Sequence, residues 1–137
     1  MDDILEAATS FRNALERCHK SLNVDGFKDF PNNSCGLTSS FLGTFFKDQG
    51  FGVFEYFIAD VPGGTHAWLQ KNDIVIDITA DQFDHITDRV IVSNSSIWHQ
   101  SLDAESQGEA DFRDGGISLK EDELAYKTIC FEIDKRT

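Results

Sequence analysis

The chain has 137 residues, 40% of them hydrophobic and 12 of them Phe. That suits one domain, residues 1–137, with a real core, and excludes global disorder. The net charge of −12 repels phosphate backbones and anionic bilayers, so no nucleic acid and no membrane is expected as a partner. No apolar run approaches the roughly 20 residues of a membrane helix. The first residues, MDDILEAATS, lack the basic and apolar regions of a signal peptide, so a cytoplasmic location is expected. Three cysteines without close spacing, Cys18, Cys35 and Cys130, argue against a disulfide framework or a zinc knuckle.

Residues 3–22 predict an amphipathic helix, because Ile4, Ala8, Phe11, Leu15, Cys18 and Leu22 recur at steps of three or four. Cys18 on that stripe is expected to be buried and inert. His19, near the helix end, suits the dipole there. After a loop, NVDGFKDFPNN, Ser34 can cap a second helix over Cys35–Asp48, with Leu37, Phe41 and Phe45 as its stripe and Gly50 as its stop. Residues 52–60 predict a strand, followed by a VPGG turn. Thr65–Gln70 and Asp73–Thr79 predict a hairpin turning at Lys71–Asn72 or Asn72–Asp73. Arg89–Ser93 predicts a short strand. His85 and His99 have no patterned partner and are expected to be structural or solvated. The polar stretch 103–118 predicts a loop, whose role as lid, partner site or filler the sequence leaves open. Ser118 and Glu121 fit a capping box for a C-terminal helix, with a strand over Lys127–Ile133 as the rival. Cys130, in TICFEI, reads as core.

A helix start is a favourable place for a reactive thiol. Its free N–H groups and partial positive charge favour the thiolate and can hold the oxyanion formed on an attacked carbonyl. Cys35 stands at such a start with polar neighbours Asn32, Asn33 and Ser34. In the hairpin, side chains two apart share a face, so His66, Trp68 and Gln70 align, as do Val75, Asp77 and Thr79. In one register His66 lies opposite Asp77. In the other it faces Thr79 with Asp77 diagonal. Both put the imidazole and the carboxylate on one side. Asp77 sits in the apolar run IVIDIT, where an unpaired carboxylate is costly, so it requires a partner. Cys35 as nucleophile, His66 as base and Asp77 as orienting acid then form a thiol site.

The segments SCGLTSSFLGTFFKDQGF, THAWLQ and VIDIT together resemble the core of the transglutaminase-like superfamily, a branch of the papain-like cysteine enzymes. The resemblance covers about Pro31–Phe83. It implies an α+β fold with a papain-like (transglutaminase-like) core, the nucleophile helix packed against an antiparallel sheet and preceded here by an N-terminal helix. It implies a thiol-dependent amide hydrolase or acyltransferase of peptidase, amidase, deamidase or transglutaminase type and does not identify the substrate; a protein or peptide amide substrate and no cofactor are expected. The glutamine that papain-like peptidases place ahead of the cysteine is missing here. Asn33 or Asn32, with the Cys35 N–H, is the candidate replacement. Gln82 reads either as a cleft residue or as a surface turn, and Trp68 as a cleft wall or as core. Two alternatives stand beside this reading. One is a zinc site on Cys35, His66 and Asp77. The other is a non-catalytic inhibitor, immunity or adaptor module whose acidic surface suits a basic protein partner.

Overall fold

The computed structural model describes residues 1–113 and 119–135. Among them the fold is α+β, with four α-helices and one five-stranded antiparallel sheet. The chain runs α1 (Asp2–Cys18), α2 (Cys35–Asp48), β1 (Glu55–Val61), β2 (Gly64–Lys71), β3 (Ile74–Asp77), β4 (Ile91–Ser93), α3 (Ile97–Ser101), β5 (Glu105–Glu109) and α4 (Lys120–Asp134). The sheet order is β4-β3-β2-β1-β5.

The main core lies between the three longer helices and one sheet face. Ala8, Phe11, Leu15 and Cys18 of α1, Phe41, Leu42, Phe45 and Phe46 of α2, and Ala125, Tyr126 and Ile129 of α4 bury against Leu69, Ile76 and Ile78. A smaller cluster, Ala59, Trp68 and Val75, occupies the opposite face, with Phe57, Leu102 and Ala104 packed on it. Gly43 sits in mid-helix despite its helix penalty because a Cβ there would collide with the backbone of Ala110.

Helix α2 matches its expected bounds, and Gly50 follows it at φ +87°, the conformation a glycine stop supplies. Helix α1 is shorter than the expected 3–22. It ends at Cys18, Ser21 Oγ donates to the Cys18 carbonyl at 2.7 Å, and the chain bends so that Leu22 still reaches the core. Residues 103–118 were expected to be loop, yet Glu105–Glu109 pairs with β1 as an edge strand. All five residues are exposed, so only backbone hydrogen bonds mark the strand, and these leave no apolar alternation in the sequence. Helix α3 was not expected either. The C-terminal helix prevails over the rival strand at 127–133. The capping residue Ser118 lies outside the described residues. No described helix is long and apolar enough to cross a membrane.

Candidate active site

Cys35 is the first residue of α2 and is half-buried. Ser34 occupies the cap position but makes no side-chain cap. Its hydroxyl turns back and donates to the Pro31 carbonyl at 3.1 Å. The expected Ser34 cap is therefore absent, and among the described residues no side chain bonds the first-turn amides of α2.

The hairpin adopts the second of the two registers. Lys71 pairs with Ile74, so the turn is Asn72–Asp73, with Asn72 at φ +54° as such a turn demands. Carried onward, that register sets His66 across from Thr79 with Asp77 diagonal to it. The pairing of β2 with β3 stops at Leu69–Ile76. Beyond it, the Ala67 backbone N–H stands near enough to Cys35 to favour its thiolate.

His66 and Asp77 are both buried, and His66 Nε2 donates to Asp77 Oδ2 at 2.6 Å. With Nε2 engaged, Nδ1 is the ring nitrogen left for the hydrogen bond between His66 and Cys35. Asp77 is well satisfied. Its Oδ1 accepts from the Thr79 N–H at 3.0 Å and the Thr79 hydroxyl at 3.4 Å, and its Oδ2 also accepts from His99 Nε2 at 2.8 Å.

The three groups shift one another. Burial presses hardest on Cys35 and opposes its charge, but hydrogen bonds from His66 and Ala67 and the His66 charge outweigh it, so the thiol pKa falls below its ordinary 9.0. Burial opposes the imidazolium too, yet Asp77 and then Cys35 raise His66 from 6.5 to about 9. Burial would raise Asp77, but its bonds to His66 and His99 hold it well below the usual carboxylate range. The arrangement thus favours thiolate, imidazolium and carboxylate in sequence. The other two thiols move the opposite way. Burial, then Glu132, pushes Cys18 up to about 11, and burial raises Cys130.

The remaining candidates divide. Gln82 is more than a surface turn. The 3₁₀ turn Ala80–Gln82 half-buries it, its Nε2 donates to the Thr79 carbonyl at 3.0 Å, and the same nitrogen lies 3.5 Å from His66 Nδ1. Asn33 is exposed in the left-handed region at φ +56°, and its side chain makes no hydrogen bond among the described residues, so its expected oxyanion role has no support. Asn32 is exposed as well. Trp68 is core, 1% exposed, with its ring 5.7 Å from His66.

Four contributors were missed. His99, read as structural or solvated, is 3% exposed and bound to Asp77. Tyr56 reaches the helix start, its hydroxyl 2.7 Å from where a Gly36 Cβ would stand, and burial and then the Cys35 charge raise its pKa. Trp98 and Phe83 cover His66, with ring centroids at 5.7 and 5.0 Å. His19 has a structural bond, from Nδ1 to the Phe27 carbonyl at 2.9 Å, and His85 is exposed beside Trp98.

Cys35 does not belong to the group of side chains among the described residues that lie close enough to hold one ion together. His66, Asp77 and His99 form the tighter polar group, their ligand atoms within 4.8 Å of one another. The contacts of 2.6 and 2.8 Å are hydrogen-bond lengths, whereas ligands about 2.0–2.1 Å from a tetrahedral zinc stand roughly 3.3 Å apart. The geometry is that of one carboxylate oxygen accepting two N–H donors. Compared with known proteins, the chain matches no family model, no curated protein and no solved structure.

Proposed function

We propose that the chain is a thiol-dependent amide hydrolase or acyltransferase of papain-like or transglutaminase-like type. Cys35 is the nucleophile, His66 the base and Asp77 the orienting acid. The observation that carries this is a buried imidazole bonded by Asp77 at 2.6 Å on Nε2, with the helix-start thiol of Cys35 close enough to that ring for each to shift the other's pKa. The α2 helix packed on an antiparallel sheet is the scaffold such a site requires.

The Cys35 thiolate attacks the amide carbonyl carbon. The C=O pair moves onto oxygen, and the oxyanion is held by the Cys35 N–H and the Gln82 amide hydrogen that Thr79 does not use. Gln82 thereby supplies what the absent upstream glutamine would. The imidazolium gives its proton to the departing amine as the C–N bond breaks, leaving a thioester. Water or an amine, deprotonated by His66, then attacks the thioester and releases the sulfur. The net charge of −12 suits a basic protein or peptide substrate.

The test is the rate of alkylation by iodoacetamide against pH, read by mass spectrometry of digested protein. Cys35 should react ahead of Cys18 and Cys130, with a midpoint well below the roughly 8.5 of a free thiol. The low midpoint should vanish in His66→Ala. An ordinary midpoint, with Cys35 no faster than Cys130, overturns the proposal.

A further inference from the structure

We infer that His99 is a positioning residue of this site: with Ser96 on its Nδ1, it turns Nε2–H to Asp77 and gives the carboxylate a second ring donor, which shares the charge of Oδ2 and moderates its pull on His66. The inference rests on the thiol-enzyme reading above and concerns a residue from a separate element. Helix α3 is five residues long, and Ser96 is its cap. The Ser96 oxygen accepts the His99 backbone N–H at 3.4 Å. Its own proton is then free for His99 Nδ1, 2.5 Å away. That leaves the His99 ring proton on Nε2, where Asp77 Oδ2 accepts it at 2.8 Å.

Charge counting gives the same tautomer. Asp77 can balance one buried imidazolium, and His66 is that one. A second cation on the same oxygen would be uncompensated and costly. The His99 ring is otherwise packed against Trp68 and Trp98, each with its centroid 4.8 Å away, so these neighbours offer it no competing charge. A neutral donor draws charge from Oδ2. Asp77 becomes a weaker base, and the shared proton stays on His66 Nε2 while Nδ1 works on the thiol. The carboxylate is also pinned from both ends, by Thr79 on Oδ1 and by the two histidines on Oδ2.

The experiment compares His99→Phe, His99→Gln and Ser96→Ala with the parent by the pH midpoint of Cys35 alkylation, with circular dichroism to establish folding. Phe keeps the ring and loses the donor, whereas Gln keeps an amide donor. Without the donor the carboxylate presses harder on the imidazolium, so the midpoint should fall by about one pH unit in His99→Phe, while Ser96→Ala, which leaves Nε2–H on Asp77, should stay near the parent. His99→Gln should return it to within a few tenths. A long-range proton–nitrogen spectrum of the parent should show His99 protonated at Nε2 alone. Should His99→Phe not fold, His99→Leu, which also lacks the donor, takes its place beside His99→Gln. In the variant without the donor, no movement, an upward movement, or a fall that Gln does not reverse overturns the role of His99 while a low, selective parent midpoint leaves the Cys35 site standing. An ordinary parent midpoint overturns both.

Discussion

Gly36 and Tyr56 meet where α2 begins. A Cβ built on Gly36 would stand 2.7 Å from the Tyr56 hydroxyl, so the strand's phenol reaches the turn that carries Cys35 only because residue 36 has no side chain. Gly36→Ala must displace that hydroxyl, and overpacking of this kind costs about 1–3 kcal/mol. In a Tyr56→Phe background the obstacle is gone and the cost should largely disappear. Urea unfolding of the two single variants and the double variant measures the coupling. Strict additivity of the two substitutions would refute the contact.

Gln82 should act on the reaction and not on the thiol. Loss of one oxyanion donor costs roughly 10²–10³ in rate elsewhere. Gln82→Ala should therefore slow Cys35-dependent hydrolysis of p-nitrophenyl acetate by about 10²-fold and leave the Cys35 alkylation midpoint near that of the parent. A shifted midpoint at unchanged hydrolysis would assign Gln82 to the imidazole instead.

Arg12 ties the N-terminal helix to the turn beneath the site. It is 4% exposed, donates to the Ile78 carbonyl at 2.7 Å and holds Asp81 with two bonds of 2.8 and 2.9 Å. Asp81 lies beside Gln82 and shares its 3₁₀ turn. Removing one partner of such a pair strands the other, so Arg12→Ala should cost about 3–5 kcal/mol in urea unfolding. Arg12→Lys keeps the charge but not the paired geometry, and should recover only part of it. A loss under 1 kcal/mol in Arg12→Ala would show that the clamp is dispensable.

The pH dependence of stability should reveal the coupling of thiol and imidazole. His66 is raised from 6.5 to about 9, so its contribution is complete below about pH 6.5 and is lost as pH rises through about 9. Cys35 is lowered from 9.0, so its contribution is lost as pH falls through its folded value and grows toward alkaline pH. Between pH 6.5 and 9 the two slopes oppose each other, so the thiol offsets part of the imidazole's loss in the parent. Cys35→Ala removes the compensating thiol. Its unfolding free energy should fall from pH 6.5 upward, by up to about 1.4 kcal/mol per pH unit. Equal alkaline losses in the parent and in Cys35→Ala, by urea unfolding at pH 6 and pH 8.5, would mean that the two groups titrate independently.

What could be read in advance followed periodicity. The α2 stripe Leu37, Phe41 and Phe45 and the alternation across Thr65–Asp77 state their elements locally, and local geometry is enough to set Cys35 at a helix start and His66 and Asp77 on one strand face. The failures share a cause as well. Strand β5 buries no side chain, so nothing in ESQGE marks it. Arg12 stands next to Phe11 on an apolar helix, and its partners are 66 and 69 residues away. His99 lies 22 residues beyond Asp77 on a five-residue helix too short to show a pattern.

The sequence by itself determined an acidic α+β chain and the three polar groups of the candidate site, because helix and strand periods are properties of neighbouring residues. Only the tertiary structure decided which of two hairpin registers holds, which ring nitrogen of His66 Asp77 takes, and that Gln82, Tyr56 and His99 stand beside the candidate residues. Those outcomes depend on how far apart segments approach. The approach is set by packing Phe11, Phe41, Phe46 and Trp68 into their cores and by satisfying the buried charges of Arg12 and Asp77.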